Sequence, residues 1–253
     1  MTNKLKYFVA NWKMFGKLSS LKNVHEIKRF LSLKKKISNK SKIILCIPNT
    51  LIYLFKKKIN SHLISWGAQN CHYQEKYGPY TGSVSSYMLK NVGAEYVILG
   101  HSENRLEGET DSIIKKKIES SINQNLKIIF CIGETLKEKI NRKTLFVIKR
   151  QILSSIDRKF NMNKIIIAYE PIWSIGTGKI PQVAELKKIF RFIKNEFKKN
   201  FKTKKSPTVL YGGSVNSKNI ENFSGISDIG GFLIGGASQS PKKFIDIIKN
   251  YYK

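Results

Sequence analysis

The chain has 253 residues and a formal net charge of +29, from 46 Lys and Arg against 17 Asp and Glu. Its apolar residues come in runs far shorter than the roughly 18 that a membrane-spanning helix needs, and its N-terminus has no apolar signal core, so a cytoplasmic protein is expected. Its three cysteines are widely spaced with no CxxC pair, which argues against a disulfide framework and a structural zinc site.

The positive charge is carried mostly by lysines that are spread over every predicted helix, and only six arginines are present. The sequence has no basic tail, zinc-finger spacing or aromatic-basic RNA motif. Specific nucleic-acid binding is therefore not expected, whereas non-specific binding to polyanions at low salt is.

Short apolar runs alternate with helical stretches from one end of the chain to the other. The predicted strands are 7–10, 43–47, 63–68, 96–100, 127–131, 165–169, 207–211 and 231–234. The clearest predicted helices are 18–37, 110–123, 136–158 and 182–199. Because the strands are continuously apolar, they indicate a parallel sheet covered by helices. Eight such units in about 250 residues fit a single-domain (β/α)8 barrel over residues 1–253. A doubly wound sheet is the alternative, but its Gly-rich first turn is missing.

Polar residues follow the ends of the first and fourth strands, where a barrel places its chemistry. Asn11 and Lys13 are two apart and suit a site for an anion, although Lys13 could be an ordinary surface lysine. His101 follows the fourth strand and precedes Ser102 and Glu103. The positive end of a helix that begins directly after His101 would favour a neutral imidazole, which can donate a hydrogen bond to a carbonyl.

The third and fifth strands lead to different kinds of segment. A long loop over residues 70–83 follows the third, and loops of this length are usually functional or interfacial. After the fifth, Cys131 has no local base and is interpreted as structural, and Glu134 is expected to favour the start of the next helix.

Glycine pairs follow the seventh and eighth strands. Gly212-Gly213-Ser214 and Gly235-Gly236 allow backbone N–H groups to approach an anion closely. The loops after these two strands are where barrels commonly bind phosphate, so the pairs predict a phosphate site.

The stretch 168–179 reads Ala-Tyr-Glu-Pro-Ile-Trp-Ser-Ile-Gly-Thr-Gly-Lys and follows the sixth strand. The strand delivers Glu170 to its C-terminal end, and Pro171 stiffens the exit. Apolar residues and then Gly176 and Gly178 follow, which is typical of a lid over 171–178 that closes and expels water from around Glu170. A plain strand-to-helix turn is the alternative.

Motifs at the strand ends occur together in a characteristic order. They are Asn-Trp-Lys-Met, Gly-His-Ser-Glu, Cys-Ile-Gly-Glu, Tyr-Glu-Pro-Ile-Trp, Ile-Gly-Thr-Gly-Lys, Tyr-Gly-Gly-Ser-Val and Gly-Gly-Ala-Ser. From Phe8 to about Ser238, nearly the full chain, the sequence resembles the triosephosphate isomerases. Ser174 stands where that family commonly has Ala.

The resemblance implies interconversion of dihydroxyacetone phosphate and D-glyceraldehyde 3-phosphate through an enediolate, in glycolysis and gluconeogenesis. It implies that Glu170 is the base and that neutral His101 polarises the carbonyl, an assignment taken from the family. Lys13 and Asn11 would offset the enediolate charge, and Glu103 would hold the polar network. No metal or organic cofactor is implied.

The phosphate would be held by Gly176, Ser214, Gly235 and Gly236, besides the charge of Lys13. The family also implies a homodimer in which Thr81, in the interlocking loop 70–83, reaches the partner's active site. The lid's gating role is likewise taken from the family.

The chain departs from the family's usual pattern near the expected dimer contact. Ser83 stands where the family usually has Glu, and Asn104 stands where it usually has Arg. Because both charges are absent, neither is left without its partner. The segment 106–109 is one residue short. A barrel that binds a phosphometabolite or nucleic acid without turnover is the alternative of a different class. Such a relative should have lost Lys13, His101 or Glu170, and all three are present.

Overall fold

The computed structural model describes residues 5–201, 203 and 205–253. Eight parallel strands form a closed barrel in chain order, in which the first strand pairs with both the second and the eighth. The strands are β1 (Lys6–Asn11), β2 (Ser41–Cys46), β3 (Ile64–Ala68), β4 (Tyr96–Leu99), β5 (Lys127–Ile132), β6 (Ile165–Tyr169), β7 (Thr208–Tyr211) and β8 (Gly231–Ile234). The predicted (β/α)8 barrel is confirmed, and residues 1–4, 202 and 204 of the predicted domain lie outside the described residues.

Helices surround the barrel. They are α1 (Leu21–Leu33), α2 (Lys35–Ser38), α3 (Asn49–Ile59), α4 (Ser86–Asn91), α5 (Ser102–Leu106), α6 (Asp111–Asn123), α7 (Leu136–Ile140), α8 (Thr144–Ser155), α9 (Val183–Phe201) and α10 (Pro241–Tyr251). Short 3₁₀ turns lie at Leu18–Ser20, Met162–Lys164, Ile172–Ser174, Ile220–Phe223 and Gly236–Gln239. Within the described residues, no helix is long and apolar enough to cross a membrane.

Two of the predicted helices are divided in the structure. The predicted helix 136–158 is wrong, because Arg142 has a left-handed backbone with φ 54° that separates α7 from α8. The predicted helix 18–37 consists of a 3₁₀ turn, α1 and α2, with a break at Lys34.

The core has two layers, which explains why the strands read as continuous apolar runs. Successive side chains of a strand point to opposite faces, and both faces of this barrel are covered. Phe8 and Ala10 of β1 pack outward against helices, whereas Val9 points into the barrel. The barrel interior holds Val9, Ile44, Cys46, Tyr96, Ile98, Ile129, Cys131, Ile166, Ala168, Leu210 and Leu233. This packed interior leaves room for a site only at the ends of the strands.

Candidate active site

A cavity of about 690 Å³ opens at the C-terminal ends of the strands. It is lined by eight of the nine predicted site residues: Asn11, Lys13, His101, Glu170, Gly176, Ser214, Gly235 and Gly236. The ninth, Glu103, contacts the cavity-lining Lys13. The closed barrel thus brings residues from five different strand ends around one space.

Glu170 follows β6 and is only 3% exposed. Its Oε1 lies 3.4 Å from Nε2 of His101. Burial raises the pKa of Glu170, an effect that the nearby His101, hydrogen bonds from Cys131 and the Ser102 N–H, and the charge of Lys13 oppose. A carboxylate with a raised pKa inside a cavity has the character of a general base.

The space for the Glu170 side chain depends on a glycine. A Cβ at Gly212 would lie 2.7 Å from Cγ of Glu170, so a larger residue there would displace the carboxylate. Cys131 packs against the same carboxylate from inside the barrel, where burial raises the pKa of its thiol well above the ordinary value. Its interpretation as structural therefore fits its setting, because the thiolate form is disfavoured.

His101 precedes α5, the short helix predicted to begin directly after it. Its Nδ1 accepts a hydrogen bond of 3.3 Å from the Glu103 N–H. This bond occupies the lone pair of Nδ1, so a neutral ring carries its proton on Nε2, the atom that faces Glu170. The imidazole therefore presents a donor toward the carboxylate side of the cavity.

Lys13 also lines the cavity, and its backbone is left-handed with φ 55°. Its N–H donates to Oδ1 of Asn11 at 3.0 Å, and its Nζ lies 2.5 Å from Oε1 of Glu103. Despite this left-handed turn, both side chains line the cavity. A non-glycine residue held in this conformation indicates a position fixed by its surroundings.

Gln69 is a site residue that the sequence reasoning did not assign. Its Nε2 donates to the Lys13 carbonyl at 2.8 Å and to Oδ1 of Asn11 and the Cys46 carbonyl at 3.2 Å each. It therefore holds the strained turn at the end of β1. The only signal in the sequence was its place directly after the third strand.

The predicted phosphate site forms the other side of the cavity. Gly176 comes from the predicted lid, Ser214 from the loop after β7, and Gly235 and Gly236 from the loop after β8. Lys218 and Lys243 also line the cavity, and neither ammonium has an ion-pair partner within the described residues. These two lysines were not predicted, and they add positive charge at the glycine-lined side.

The predicted lid 171–178 begins with a 3₁₀ turn at Ile172–Ser174. Trp173 donates from Nε1 to Oε1 of buried Glu134 at 2.9 Å, and Nζ of Lys139 lies 4.2 Å from a Trp173 ring centroid. The Tyr169 hydroxyl donates to both Glu134 oxygens at 3.1 Å. The expectation that Glu134 favours the start of the next helix is therefore wrong, because its carboxylate accepts hydrogen bonds from Trp173 and Tyr169.

Thr135 caps the start of α7. Its side chain accepts from the Glu138 N–H, and the Glu138 carboxylate accepts from the Thr135 N–H, which forms a reciprocal cap at α7.

Burial raises the pKa of Glu134, while the hydrogen bonds from Trp173 and Tyr169 lower it. The first half of the segment 171–178 is thus anchored to a buried carboxylate.

The predicted interlocking loop 70–83 projects from the barrel after β3. Thr81 at its tip is exposed and does not line the cavity of its own chain. The His72 ring lies between Tyr73 and Tyr80, with centroid distances of 4.2 and 4.3 Å. This stack connects Tyr80, which directly precedes Thr81, to the start of the loop.

No group of three or more His, Cys, Asp and Glu side chains within the described residues is arranged to hold a metal ion. The cavity offers charged and polar side chains to a ligand, among apolar ones such as Ile175, Val215 and Leu233. A small anion that carries several oxygen atoms fits this arrangement.

Comparison with known proteins identifies similar chains. A family model described as "Triosephosphate isomerase" matches residues 6–251. The triosephosphate isomerase of Dictyoglomus thermophilum is 39% identical over 250 residues, which cover 97% of this chain and 99% of the relative. That of Bartonella henselae is 36% identical over the full length of both chains. The crystal structure of triosephosphate isomerase from Bartonella henselae has a TM-score of 0.87 at 34% identity and covers 98% of this chain and 99% of its own.

Proposed function

Because the chain belongs to the triosephosphate isomerase family, whose members interconvert dihydroxyacetone phosphate and D-glyceraldehyde 3-phosphate in glycolysis, we propose that Glu170 is the base of this reaction. One observation carries the proposal: a buried carboxylate lies 3.4 Å from an imidazole nitrogen inside the cavity at the strand ends. The chemistry requires a base for the carbon-bound proton and an acid for the carbonyl, and these two groups supply them.

Glu170 removes a proton from the carbon beside the carbonyl, which leaves an enediolate. Nε2 of His101 donates a hydrogen bond to the carbonyl oxygen and moves a proton between the two oxygens. Glu170 then returns its proton to the neighbouring carbon. General base catalysis of this kind contributes about 10²–10⁴-fold to the rate. The proton is transferred within one substrate, so the mechanism uses no metal or organic cofactor.

Lys13 and Asn11 offset the negative charge that develops on the enediolate. The Lys13 ammonium is held by Glu103 at 2.5 Å, and the backbone around it is fixed by Asn11 and Gln69. Groups that are already oriented in this way cost little reorganisation when charge develops, which makes such electrostatic stabilisation effective.

The phosphate binds at the side of the cavity formed by Gly176, Ser214, Gly235 and Gly236. Their N–H groups, with the Ser214 hydroxyl, take the phosphate oxygens, while Lys13 supplies charge. Phosphate binding far from the reacting carbons can drive closure of the lid 171–178, because its binding energy is available for a conformational change.

The protein acts as a homodimer in the cytoplasm. Met14, which directly follows Lys13, is 96% exposed, and Phe15 and Leu18 are exposed beside it. Tyr77 and Tyr80 of the loop 70–83 are exposed as well. Exposed apolar side chains favour a protein contact, and Thr81 of the partner subunit would reach the active site, as the family resemblance implies. Ser83 and Asn104 leave this contact without a charge pair.

Sedimentation tests the dimer. At micromolar concentration the mass should be about twice the 29.0 kDa of one chain. The variant Thr81→Ala should lose activity if the loop reaches the partner's site. A fully active monomer would contradict this part of the proposal.

Deuterium tests the proton transfer. When dihydroxyacetone phosphate is converted in D₂O, NMR should show deuterium at a reacting carbon of the product, because the proton on Glu170 exchanges with solvent. Complete retention of protium would indicate hydride transfer and would contradict a carboxylate base.

Lys13→Met tests the charge at the cavity wall. This variant should raise KM and lower kcat together, because the ammonium contacts both ground state and enediolate. The matched control is Lys36→Met on α2, an exposed lysine that does not line the cavity and should leave both constants unchanged. Normal kinetics for Lys13→Met would mean that Lys13 is only a surface charge.

A further inference from the structure

The Ser174 side chain connects the lid to the phosphate side of the cavity. Ser174 is fully buried, and its Oγ lies 2.6 Å from the Lys179 carbonyl, 3.0 Å from the Tyr211 hydroxyl and 3.2 Å from the Ser214 nitrogen. One hydroxyl therefore contacts the residue after the lid, the end of β7 and the loop that follows β7.

The direction of each of these hydrogen bonds follows from the donor count. A serine hydroxyl has one proton and two acceptor lone pairs. The carbonyl of Lys179 can only accept, so the Ser174 proton is committed there. The Tyr211 hydroxyl and the Ser214 N–H must then donate to Ser174 Oγ. Burial raises the pKa of Tyr211 to about 12, so its hydroxyl keeps the proton that it donates.

This cluster can form only because residue 213 is a glycine. A Cβ at Gly213 would lie 2.3 Å from the Tyr211 hydroxyl and 2.7 Å from Ser174 Oγ. Any side chain at this position would separate the lid from the loop after β7. The close approach of the two segments therefore depends on the second glycine of the pair, whereas the first makes room for Glu170.

The Ser214 N–H cannot serve two acceptors at full strength. In the structure it donates to Ser174 Oγ, yet the loop after β7 is the place where this N–H would meet a phosphate oxygen. Binding of a phosphate by this N–H must therefore break or weaken the bond to Ser174.

We propose that the Ser174 hydroxyl is a positioning group that competes with phosphate for the Ser214 N–H and releases this N–H when a phosphate binds. The inference rests on the proposed roles of 171–178 as the lid and of Ser214 as a phosphate ligand. Ser174 does not touch substrate. It lowers the affinity for phosphate and couples phosphate binding to release of the lid from the loop after β7.

The variant Ser174→Ala tests this role by removing the competing acceptor. Loss of one competing hydrogen bond, worth about 1 kcal/mol, corresponds to about a fivefold change in affinity. We expect the Kd of glycerol 3-phosphate and the KM of the substrate to fall about fivefold, with kcat changed by less than about twofold. If Ser174 served only the stability of the fold, Ser174→Ala would lower the unfolding temperature and would not lower the Kd of glycerol 3-phosphate.

Tyr211→Phe is the matched variant. It removes one donor to Ser174 Oγ and a second, shared acceptor of the Ser214 N–H, but leaves Ser174 Oγ free to accept from that N–H. The Kd of glycerol 3-phosphate should therefore fall much less than in Ser174→Ala. A folded Ser174→Ala protein with an unchanged or higher Kd would overturn the inference. An equal fall in Kd for both variants would also overturn it, because general loosening of the lid would then explain the effect.

The wild-type protein provides a second measurement that needs no variant. On titration with glycerol 3-phosphate, the amide resonances of Ser214 and of Ile180, which follows the Lys179 carbonyl, should shift together, since Ser174 links them. A shift of Ser214 without Ile180 would contradict the coupling. An active wild-type enzyme that fails these tests would refute only the role of Ser174, whereas an inactive one would refute the proposed function.

Discussion

Trp173→Phe should loosen the lid in the ligand-free protein. The substitution keeps an aromatic ring next to Lys139 but removes the Nε1–H that donates to Oε1 of Glu134 at 2.9 Å. A hydrogen bond to a charged group contributes about 1.5–3 kcal/mol. The lower end applies here, because the Tyr169 hydroxyl still donates to both oxygens of Glu134 at 3.1 Å. A loss of about 1.5 kcal/mol corresponds to about a twelvefold increase in the population of the released lid.

Hydrogen–deuterium exchange measures this population directly. Amides of the lid, such as those of Ile175 and Thr177, should exchange about twelvefold faster in the variant, while amides of β5 and β6 keep their wild-type rates. Tyr169→Phe is the matched control, since it removes the other donor to Glu134 from a strand residue. It should lower the unfolding temperature, and it should speed exchange of the lid amides less than Trp173→Phe does. Unchanged lid exchange in Trp173→Phe, or equal acceleration throughout the barrel, would refute the view that this bond anchors the lid.

Three further predictions concern the titration and stability of buried groups. Because burial raises the pKa of Glu170, kcat/KM should fall with decreasing pH along a limb that lies above the ordinary glutamate value of 4.5; a limb at or below that value in a pH–rate profile would contradict a buried base. The same raised pKa means that the ionised Glu170 carboxylate destabilises the folded protein, so Glu170→Gln should increase the free energy of unfolding in urea at neutral pH. This gain should vanish as the pH falls below both the folded and the unfolded pKa of Glu170. A loss of stability at neutral pH would contradict the raised pKa. Lys117→Met should destabilise the protein by about 3 kcal/mol or more, because it leaves the Glu109 side chain, which already has one unpaired oxygen, without its ion-pair partner. Adding Glu109→Gln should restore part of the lost stability. Additive losses in the double variant would count against a buried pair.

The barrel could be predicted from the sequence because its physical signals are local. Each strand is a short β-branched run, such as Ile165–Tyr169, and the runs are apolar at every position because both faces of the barrel are covered. The break between α7 and α8 could not be predicted, since apolar residues continue at helical spacing across it. No Gly or Pro marks the left-handed backbone of Arg142.

Much of the candidate site could be predicted because its residues lie at or near the ends of strands. Glu170 directly follows β6 and His101 lies two residues after the end of β4, so the topology alone places them at the same end of the barrel. The roles of Gln69 and Ser174 depend on contacts with residues 58 and 40 positions away, respectively, which no local pattern encodes. Glu134 was assigned to a helix start for the same reason, because its partner Trp173 is 39 positions away.

The most direct test of the account is a coupled assay of triose phosphate interconversion with wild type, Glu170→Gln and Glu196→Gln. Glu196 is a matched control, since it is a buried carboxylate on α9 that does not line the cavity. The account predicts that Glu170→Gln loses about 10²–10⁴-fold in kcat while its Kd for glycerol 3-phosphate changes little, and that Glu196→Gln retains wild-type turnover. A Glu170→Gln enzyme that turns over at the wild-type rate, or one that loses binding and turnover equally, would contradict the assignment of Glu170 as the base.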